Sequence, residues 1–479
     1  MTDRRDAPLR IPATAVRRAG FFTLATMTTL TGVWLMLDIL RANGMSPLEM
    51  AILVLFAITF GWISLAFWSA AAGFVLQAMG IDPLSLRRGS AHGHYTAPTA
   101  LRTRTAVVMP VHNEDVQRVI AGLEATYNDL QSTGERDTFD FYLLSDSTDS
   151  EIATAEAAAI KRLRSRVWGS GNIYYRLRRT NEGRKAGNIA EFCRRWGARY
   201  ENMIVLDADS VMTGSAMVTL ARAMQANPHA GMIQTVPIPV RQETFFGRFV
   251  QFAATLYSPM LATGLAFWQT DTANYWGHNA IIRIAPFMAH CGLPRLGGKP
   301  PFGGEILSHD FVEAALMRRG GWHVYLFPEL EGSYEEVPGN LLDFAKRDRR
   351  WAQGNLQHMK LLLTRDLHPL SRLHFLMGAL AYLCSLLWLL MLLVSTVDAV
   401  SRALTVERYF GAAYQLFPDW PIAKTGEMIW LLAVVAALLL LPKLMGVVLA
   451  TLDRKRRAAF GGSGALVAST FVETLFSVL

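Results

Sequence analysis

Long apolar stretches frame the 479-residue chain, at positions 21–40, 50–79, 375–400 and 428–452, with a further apolar run at 466–479. Each of the first four is long enough to cross a bilayer as a helix, which takes roughly 20 residues. Only a short polar turn separates the first two, and no small-residue cleavage site lies between them. The pattern therefore predicts a transmembrane hairpin and not a removed leader. The last run stops without a basic anchor, and the expectation from this is a truncated chain. Between the second and third spans the periodicity changes. From about residue 103 to 360, short β-rich runs at 105–109, 139–144, 173–177 and 203–206 alternate with helical patterns such as 116–130 and 152–164. That alternation predicts a mostly parallel sheet covered by helices, an α/β domain inserted between α-helical transmembrane segments.

Composition agrees with membrane segments: 51% of residues are hydrophobic and only 18% are charged. A net charge of +8 admits nucleic acid, anionic lipid or an anionic substrate. The cations sit largely in runs that flank the apolar stretches, so membrane lipid headgroups account for them and nucleic acid is not expected. Arg4, Arg5, Arg10, Arg17 and Arg18 precede the first span, and only Arg41 lies between the first two. Arg87 and Arg88 follow the second span, and Arg454, Lys455, Arg456 and Arg457 follow the fourth. This bias places the amino terminus and the central domain in the cytoplasm. Cys193, Cys291 and Cys384 are scattered without metal-ligand spacing, which predicts a reducing compartment and no disulfide framework.

Asp207 and Asp209 follow the run at 203–206, so two carboxylates leave the carboxyl end of one strand. Ligand sites of open α/β sheets form at that end. Two such carboxylates repel unless a cation lies between them, and a divalent metal shared with phosphate oxygens meets that need. Taken alone, an Asp-x-Asp is more often a solvated turn. Glu114 and Asp146 also end β-rich runs, where each is suited to accepting hydrogen bonds or, as an alternative, to capping a helix. The stretch 183–188 opens a helix with Gly183 and Gly187, and its Lys185 offers a compact charge for a diphosphate or else belongs to a basic surface loop. Asp310, in Ser308-His309-Asp310, reads as a helix cap or as a proton acceptor near the metal. Arg350 and Trp351 lie in a cationic run before the third span, where they serve headgroup anchoring or a sugar ring stacked on the indole. No P-loop and no G-x-G-x-x-G occurs.

The order Asp146, Lys185, Asp207-x-Asp209, Asp310 and Arg350-Trp351 resembles that of the processive, inverting family 2 glycosyltransferases, such as cellulose and hyaluronan synthases. Longer strings at 205–214, 275–283 and 307–316, including Tyr275-Trp276-Gly277-His278-Asn279, are similar to the glucans biosynthesis glucosyltransferase H family. The resemblance covers the chain from Phe21 onward. It departs from the wider pattern at Arg347, which stands where Gln opens the Gln-x-x-Arg-Trp motif, and at His309, which replaces the acid of Thr-Glu-Asp.

What the resemblance implies is a Rossmann-like GT-A domain and transfer from UDP-glucose to a growing glucan destined for the periplasm. Glu114, Asp146, Lys185 and Asp207 would bind the donor, with Asp209 and Asp207 on Mg2+ or Mn2+. Asp310 would be the base, and Arg350 and Trp351 would hold the acceptor end and the pyrophosphate side. The implied location is the bacterial inner membrane, multi-pass, with acyl carrier protein and periplasmic glucan-modifying proteins as further partners. The corresponding segments are 1–99 (arm and hairpin), 100–330 (GT-A), 331–374 (membrane-interface segment) and 375–479 (C-terminal helices). A synthase of another β-linked polymer, cellulose-, chitin- or mannuronan-like, stays open as an alternative, as does a nucleotide-binding membrane transporter. Trp268, Tyr275, Trp276 and Trp322 are expected either along the sugar path or in the core.

Overall fold

The computed structural model describes residues 14–42, 44–83, 86, 100–167, 172–404 and 422–478. Arg4, Arg5, Arg10, Arg87 and Arg88 lie outside the described residues. Two helices come first, α1 (Thr14–Leu40) and α2 (Pro47–Met79). There follow β1 (Thr105–Val111), α3 (Val116–Gln131), β2 (Phe139–Ser145), α4 (Ser150–Arg166), β3 (Ile173–Leu177), α5 (Arg184–Trp196), β4 (Asn202–Val205), β5 (Val211–Met212) and α6 (Gly214–Ala226). Next are β6 (Ala230–Thr235), β7 (Ile238–Pro239), α7 (Phe245–Gln269), β8 (Ala280–Arg283), α8 (Ile284–His290), α9 (His309–Arg319), β9 (His323–Phe327) and β10 (Ser333–Glu335). The chain finishes in α10 (Leu341–His358), α11 (Pro369–Leu404), α12 (Thr425–Leu452), α13 (Arg454–Ala459) and α14 (Ser463–Val478). Two compact units result, one from residues 80–376 and one from the flanking helical segments.

In the 80–376 unit a seven-stranded sheet has the order β3-β2-β1-β4-β8-β6-β9. β3, β2, β1 and β4 run parallel, β8 is antiparallel to both neighbours, and β6 and β9 are again parallel. β2 is buried along its whole length and β1 nearly so, as the near-continuous apolar runs of doubly covered strands require. Register then decides what shares an edge. Val111 pairs with Ser145 and Ser145 with Leu177, so Asp146 and Arg178 leave adjacent strands side by side. Val108 pairs with Val205 and Val205 with Ala280, which brings the residues after β4 and those before β8 to the same edge. A small second sheet, β5-β10-β7, completes the unit. The segment 331–374 belongs to this same compact unit.

In the helical unit, α1, α2, α11 and α12 are each long and apolar enough to cross a membrane. Their charged ends pair. Asp38 meets Lys424 and Arg41, Arg402 reaches Glu49 at 2.5 Å and Asp398 at 2.9 Å, and Ser46 lies 3.3 Å from Asp398. Lys443, inside α12, donates to Glu473 of α14 at 2.7 Å and to Ser477 at 2.9 Å. Nothing local to the sequence marks these partners, because helix-to-helix pairs have no fixed spacing along the chain.

His358, at the end of α10, has no exposed surface. Its ring centroid lies 5.8 Å from that of Phe311 and 4.9 Å from that of Phe375. Burial disfavours the imidazolium and pushes the pKa from 6.5 down to about 4. The unfolded chain thus takes up a proton near pH 6.5 that the folded chain refuses until about pH 4. The contribution of His358 to stability is whole above pH 6.5 and is lost as the pH falls toward 4, by about 3 kcal/mol at most. Thermal unfolding of the detergent-solubilised protein should show Tm dropping across that window, and dropping less in His358→Gln. Equal slopes for the two proteins would remove His358 as the cause.

Candidate active site

The site grows from strand ends. After β1, Asn113 takes φ 57°, its side-chain oxygen accepting from the Thr148 and Asp149 amides at 3.0 and 3.1 Å. Its own amide donates to Ser147 Oγ at 2.9 Å, which staples the β1 and β2 ends together and sets Glu114 beside them. Asp146 is not a helix cap: α4 is capped by Asp149, whose carboxylate accepts from the Glu151 and Ile152 amides. Instead Asp146 is gripped by Arg178, with Nε to Oδ1 at 2.7 Å and Nη2 to Oδ2 at 2.6 Å, both side chains almost fully buried. Arg178 also donates to the carbonyls of Glu182 at 2.8 Å and Arg184 at 3.0 Å, and so shapes the loop that enters α5.

That loop delivers Lys185. Gly183 at its start has φ 69°, and a Cβ on Gly187 would stand 2.0 Å from the Glu182 carbonyl oxygen, so both positions need glycine. Lys185 donates to the Asp207 carboxylate and, at 2.8 Å, to the Gly277 carbonyl. Gly277 has φ +93°, and a Cβ built there would lie 3.5 Å from Asp310 Oδ2. Lys185, Asp207, Gly277 and Asp310 are therefore contiguous.

Glu114, Asp146, Lys185, Asp207, Asp209 and Arg350 line one cavity of about 670 Å³. Asp310 sits against Gly277 at the second residue of α9, and the cap position, Ser308, makes no side-chain cap bond. Trp351 is exposed, but the Arg347 guanidinium lies over its ring, 4.5 Å from the centroid. One face of the proposed stacking platform is thus already covered. Trp268 and Tyr275 are buried in the core, and Trp276 and Trp322 pack against it.

Charge is unevenly compensated. Burial works against the Asp207 carboxylate, but Lys185 and His278 outweigh it and hold its pKa below the usual value. Burial, reinforced by the Asp207 charge, pushes Asp209 up. Glu114 is raised by burial and then by Asp209, and burial raises Glu335 as well. Asp310 is raised by burial, which the neighbouring His309 moderates. Burial opposes the His309 imidazolium, but Glu313, 3.1 Å away, prevails and lifts its pKa. A divalent cation fits the surplus of negative charge around Asp209. Among the described residues no three His, Cys, Asp or Glu side chains converge as metal ligands, so such a cation would take further ligands from phosphate and water.

Arg178, Asn113, Gly277 and Arg347 were not predicted as site residues. Arg178 immediately follows a strand, the signal that marked Glu114 and Asp146, whereas nothing local to the sequence marks Gly277.

The chain matches the model of glycosyl transferase family group 2 over residues 203–444 and that of glycosyl transferase family 2 over residues 106–290. It is 48% identical over 468 residues to a protein of Cupriavidus pinatubonensis named glucans biosynthesis glucosyltransferase H, covering 98% of this chain and 54% of that relative. It is 44% identical over 466 residues to a protein of the same name from Vibrio cholerae, covering 97% of this chain and 63% of the relative. A Dickeya dadantii protein of that name is 48% identical, with 90% of this chain and 50% of the relative covered. The chain thus spans between half and two thirds of the length of these relatives. The resemblance read from the strings at 205–214, 275–283 and 307–316 is borne out by these proteins.

Removing Arg178 strands a buried carboxylate. Arg178→Ala should destabilise the protein by about 3–5 kcal/mol, the usual cost of breaking a buried pair from one side. Arg178→Lys, which keeps the charge without the two-pronged grip, should fall between Ala and wild type. Thermal unfolding in detergent checks the order, and an Ala variant as stable as wild type would show that the pair does not hold the edge together.

Proposed function

This chain belongs to glycosyltransferase family group 2, and from that premise we propose that it extends a β-linked glucan with glucose from UDP-glucose at the bacterial inner membrane. The observation that carries this reading is the convergence of Lys185, Asp207, Asp209, Glu114, Asp146 and Arg350 on one cavity, with Asp310 beside Gly277, whose carbonyl accepts from Lys185. The names carried by the similar proteins support glucose as the transferred sugar.

In this reading the uridine lies toward Glu114 and Asp146, and the Arg178 grip keeps Asp146 aimed. Asp209, with Asp207, would hold Mg2+ or Mn2+, a cation that would supply positive charge against the diphosphate. Lys185 adds a fixed cation on the same side, and Arg350 faces the pyrophosphate from α10. Asp310 takes the proton from the acceptor hydroxyl as its oxygen forms the new bond to C1. The bond from C1 to the phosphate oxygen breaks on the opposite face, UDP leaves with the electron pair, and an α donor becomes a β linkage. Burial suits Asp310 to this role, because a raised pKa strengthens a carboxylate as a base.

We further read α1, α2, α11 and α12 as membrane spans, with the 80–376 unit on the cytoplasmic side. Two features support that orientation: the Arg454–Arg457 cluster beyond α12 and the need for a cytoplasmic nucleotide sugar.

Turnover should be confined to UDP-glucose in a panel of UDP- and GDP-sugars and should vanish in excess EDTA. Asp209→Ala should lose metal-dependent UDP binding together with transfer. Asp310→Asn should keep UDP binding and lose transfer by about 10²–10⁴-fold, as an isosteric amide cannot accept the proton. Wild-type turnover in EDTA would exclude the metal role, and a competent Asp310→Asn would exclude the base.

Orientation is tested separately by cysteine labelling. Met45→Cys, between α1 and α2, should react with an impermeant thiol reagent in intact cells. Ser132→Cys, at the exposed end of α3, should stay unlabelled until the membrane is permeabilised. The opposite pattern would invert the topology.

A further inference from the structure

α10 carries Arg350 and Trp351, and two turns further along it carries Gln357 and His358. These later residues lie on the segment that leads into Asp310. Gln357 Oε1 accepts from the Leu307 amide at 3.0 Å, and its Nε2 donates to the carbonyls of Glu305 at 3.1 Å and Gly303 at 3.2 Å. His358 Nε2 donates to the Ser308 carbonyl at 2.8 Å. A carbonyl oxygen only accepts, so the proton sits on Nε2 and leaves Nδ1 as a buried lone pair without a hydrogen-bond partner. Gln357 and His358 are 1% and 0% exposed. Between Trp351 and this pair, Gly354 lets the helix approach: a Cβ there would lie 2.2 Å from Ser308 Oγ and 2.7 Å from Ser308 N.

These side chains address main-chain groups from 303 to 308 and stop one residue short of His309-Asp310. Ser308, at the cap position of α9, makes no side-chain cap bond, so the first turn of α9 has no such bond of its own to orient it. From α10, the His358 ring instead holds the Ser308 carbonyl. The His358 ring, packed between Phe311 of α9 and Phe375 of α11, fixes the contact from the side.

We propose that Gln357 and His358 are positioning residues for Asp310, setting the carboxylate from the same helix that bears Arg350 and Trp351. The proposal rests on the reading of Asp310 as the base. A rigid helix in contact with the acceptor at one point and with the base segment two turns away ties alignment of the base to occupation of the acceptor site. An acceptor that shifts Arg350 and Trp351 shifts the Ser308 carbonyl with them.

The test uses the full chain in detergent. Transfer kcat, UDP affinity by calorimetry and amide exchange over 303–310 are measured for wild type, His358→Phe, His358→Gln and Gln357→Leu. His358→Phe keeps a ring between Phe311 and Phe375 but has no donor, whereas His358→Gln places an amide N–H near the Nε2 position. The expected result is a fall in kcat of roughly 10²-fold in His358→Phe, the scale of an ångström of misplacement. UDP affinity should stay as in wild type, and exchange over 303–310 should quicken. His358→Gln should recover most of the rate. Gln357→Leu should lower kcat in the same way, and it carries the test if His358→Phe does not fold. Wild-type turnover in the variants, equal losses in His358→Phe and His358→Gln, or loss of UDP affinity in step with kcat would each overturn the proposal. Asp310→Asn separates the two readings. Normal turnover there removes the base and this proposal with it, whereas its failure beside a fully active His358→Phe removes only the positioning role.

Discussion

Carboxylates gathered at the carboxyl edge of a sheet repel one another, and at this edge each one meets a different answer. Arg178 grips Asp146, Lys185 meets Asp207, and His278 lies 3.5 Å from Glu335. For Asp209 no ion-pair partner occurs among the described residues, and it carries the cost of burial beside Asp207. The loops around the edge follow from these pairings. Arg178 folds the 182–184 turn by bonding its carbonyls, that turn aims Lys185, and Lys185 ties Asp207 to Gly277 and so to the neighbourhood of Asp310. A site that leaves Asp209 and Glu114 without an ion-pair partner among the described residues is prepared for an incoming positive charge, and the pairings of Asp146 and Asp207 hold that imbalance in place.

The antiparallel strand β8 is what closes this arrangement. In a wholly parallel sheet the residues before a strand would lie at the far edge. Because β8 runs against β4, the stretch Gly277-His278-Asn279 arrives beside Asp207, and the Asn279 amide donates to the Val205 carbonyl at 2.7 Å. One reversed strand thus brings a backbone carbonyl, a glycine and an imidazole to the acidic pair.

The sequence made the strands, the spans and the strand-end acids legible, since period and apolar runs are local properties. Runs at 105–109, 139–144, 173–177 and 203–206 all became strands of one sheet, and 116–130 and 152–164 lie within α3 and α4. Asp207, Asp209, Glu114 and Asp146 were visible because they end such runs. Roles that depend on register were not legible. Asp146 reads equally well as a cap until β3 is laid beside β2 and Arg178 appears opposite it. The reversed direction of β8, the covering of Trp351 by Arg347, and the grip of Gln357 on residues 303–307 join positions far apart in sequence or orient a side chain that spacing leaves free.

Lys443 and Glu473 bear on how the protein is made. A lysine in the middle of an apolar helix costs about 2.5–3.5 kcal/mol when that helix enters lipid alone. α12 carries that charge, and its partner Glu473 lies 30 residues later, on a helix that a ribosome has yet to finish when α12 is complete. With α12 a membrane span, as proposed above, it would be a poor guest of the bilayer until α14 reached it, and its stay beside the insertion machinery would lengthen by the time needed to translate the intervening residues. The ion pair would couple the settling of α12 to the synthesis of α14, and a ribosome stalled before Glu473 would leave the bond between Lys443 and Glu473 unmade.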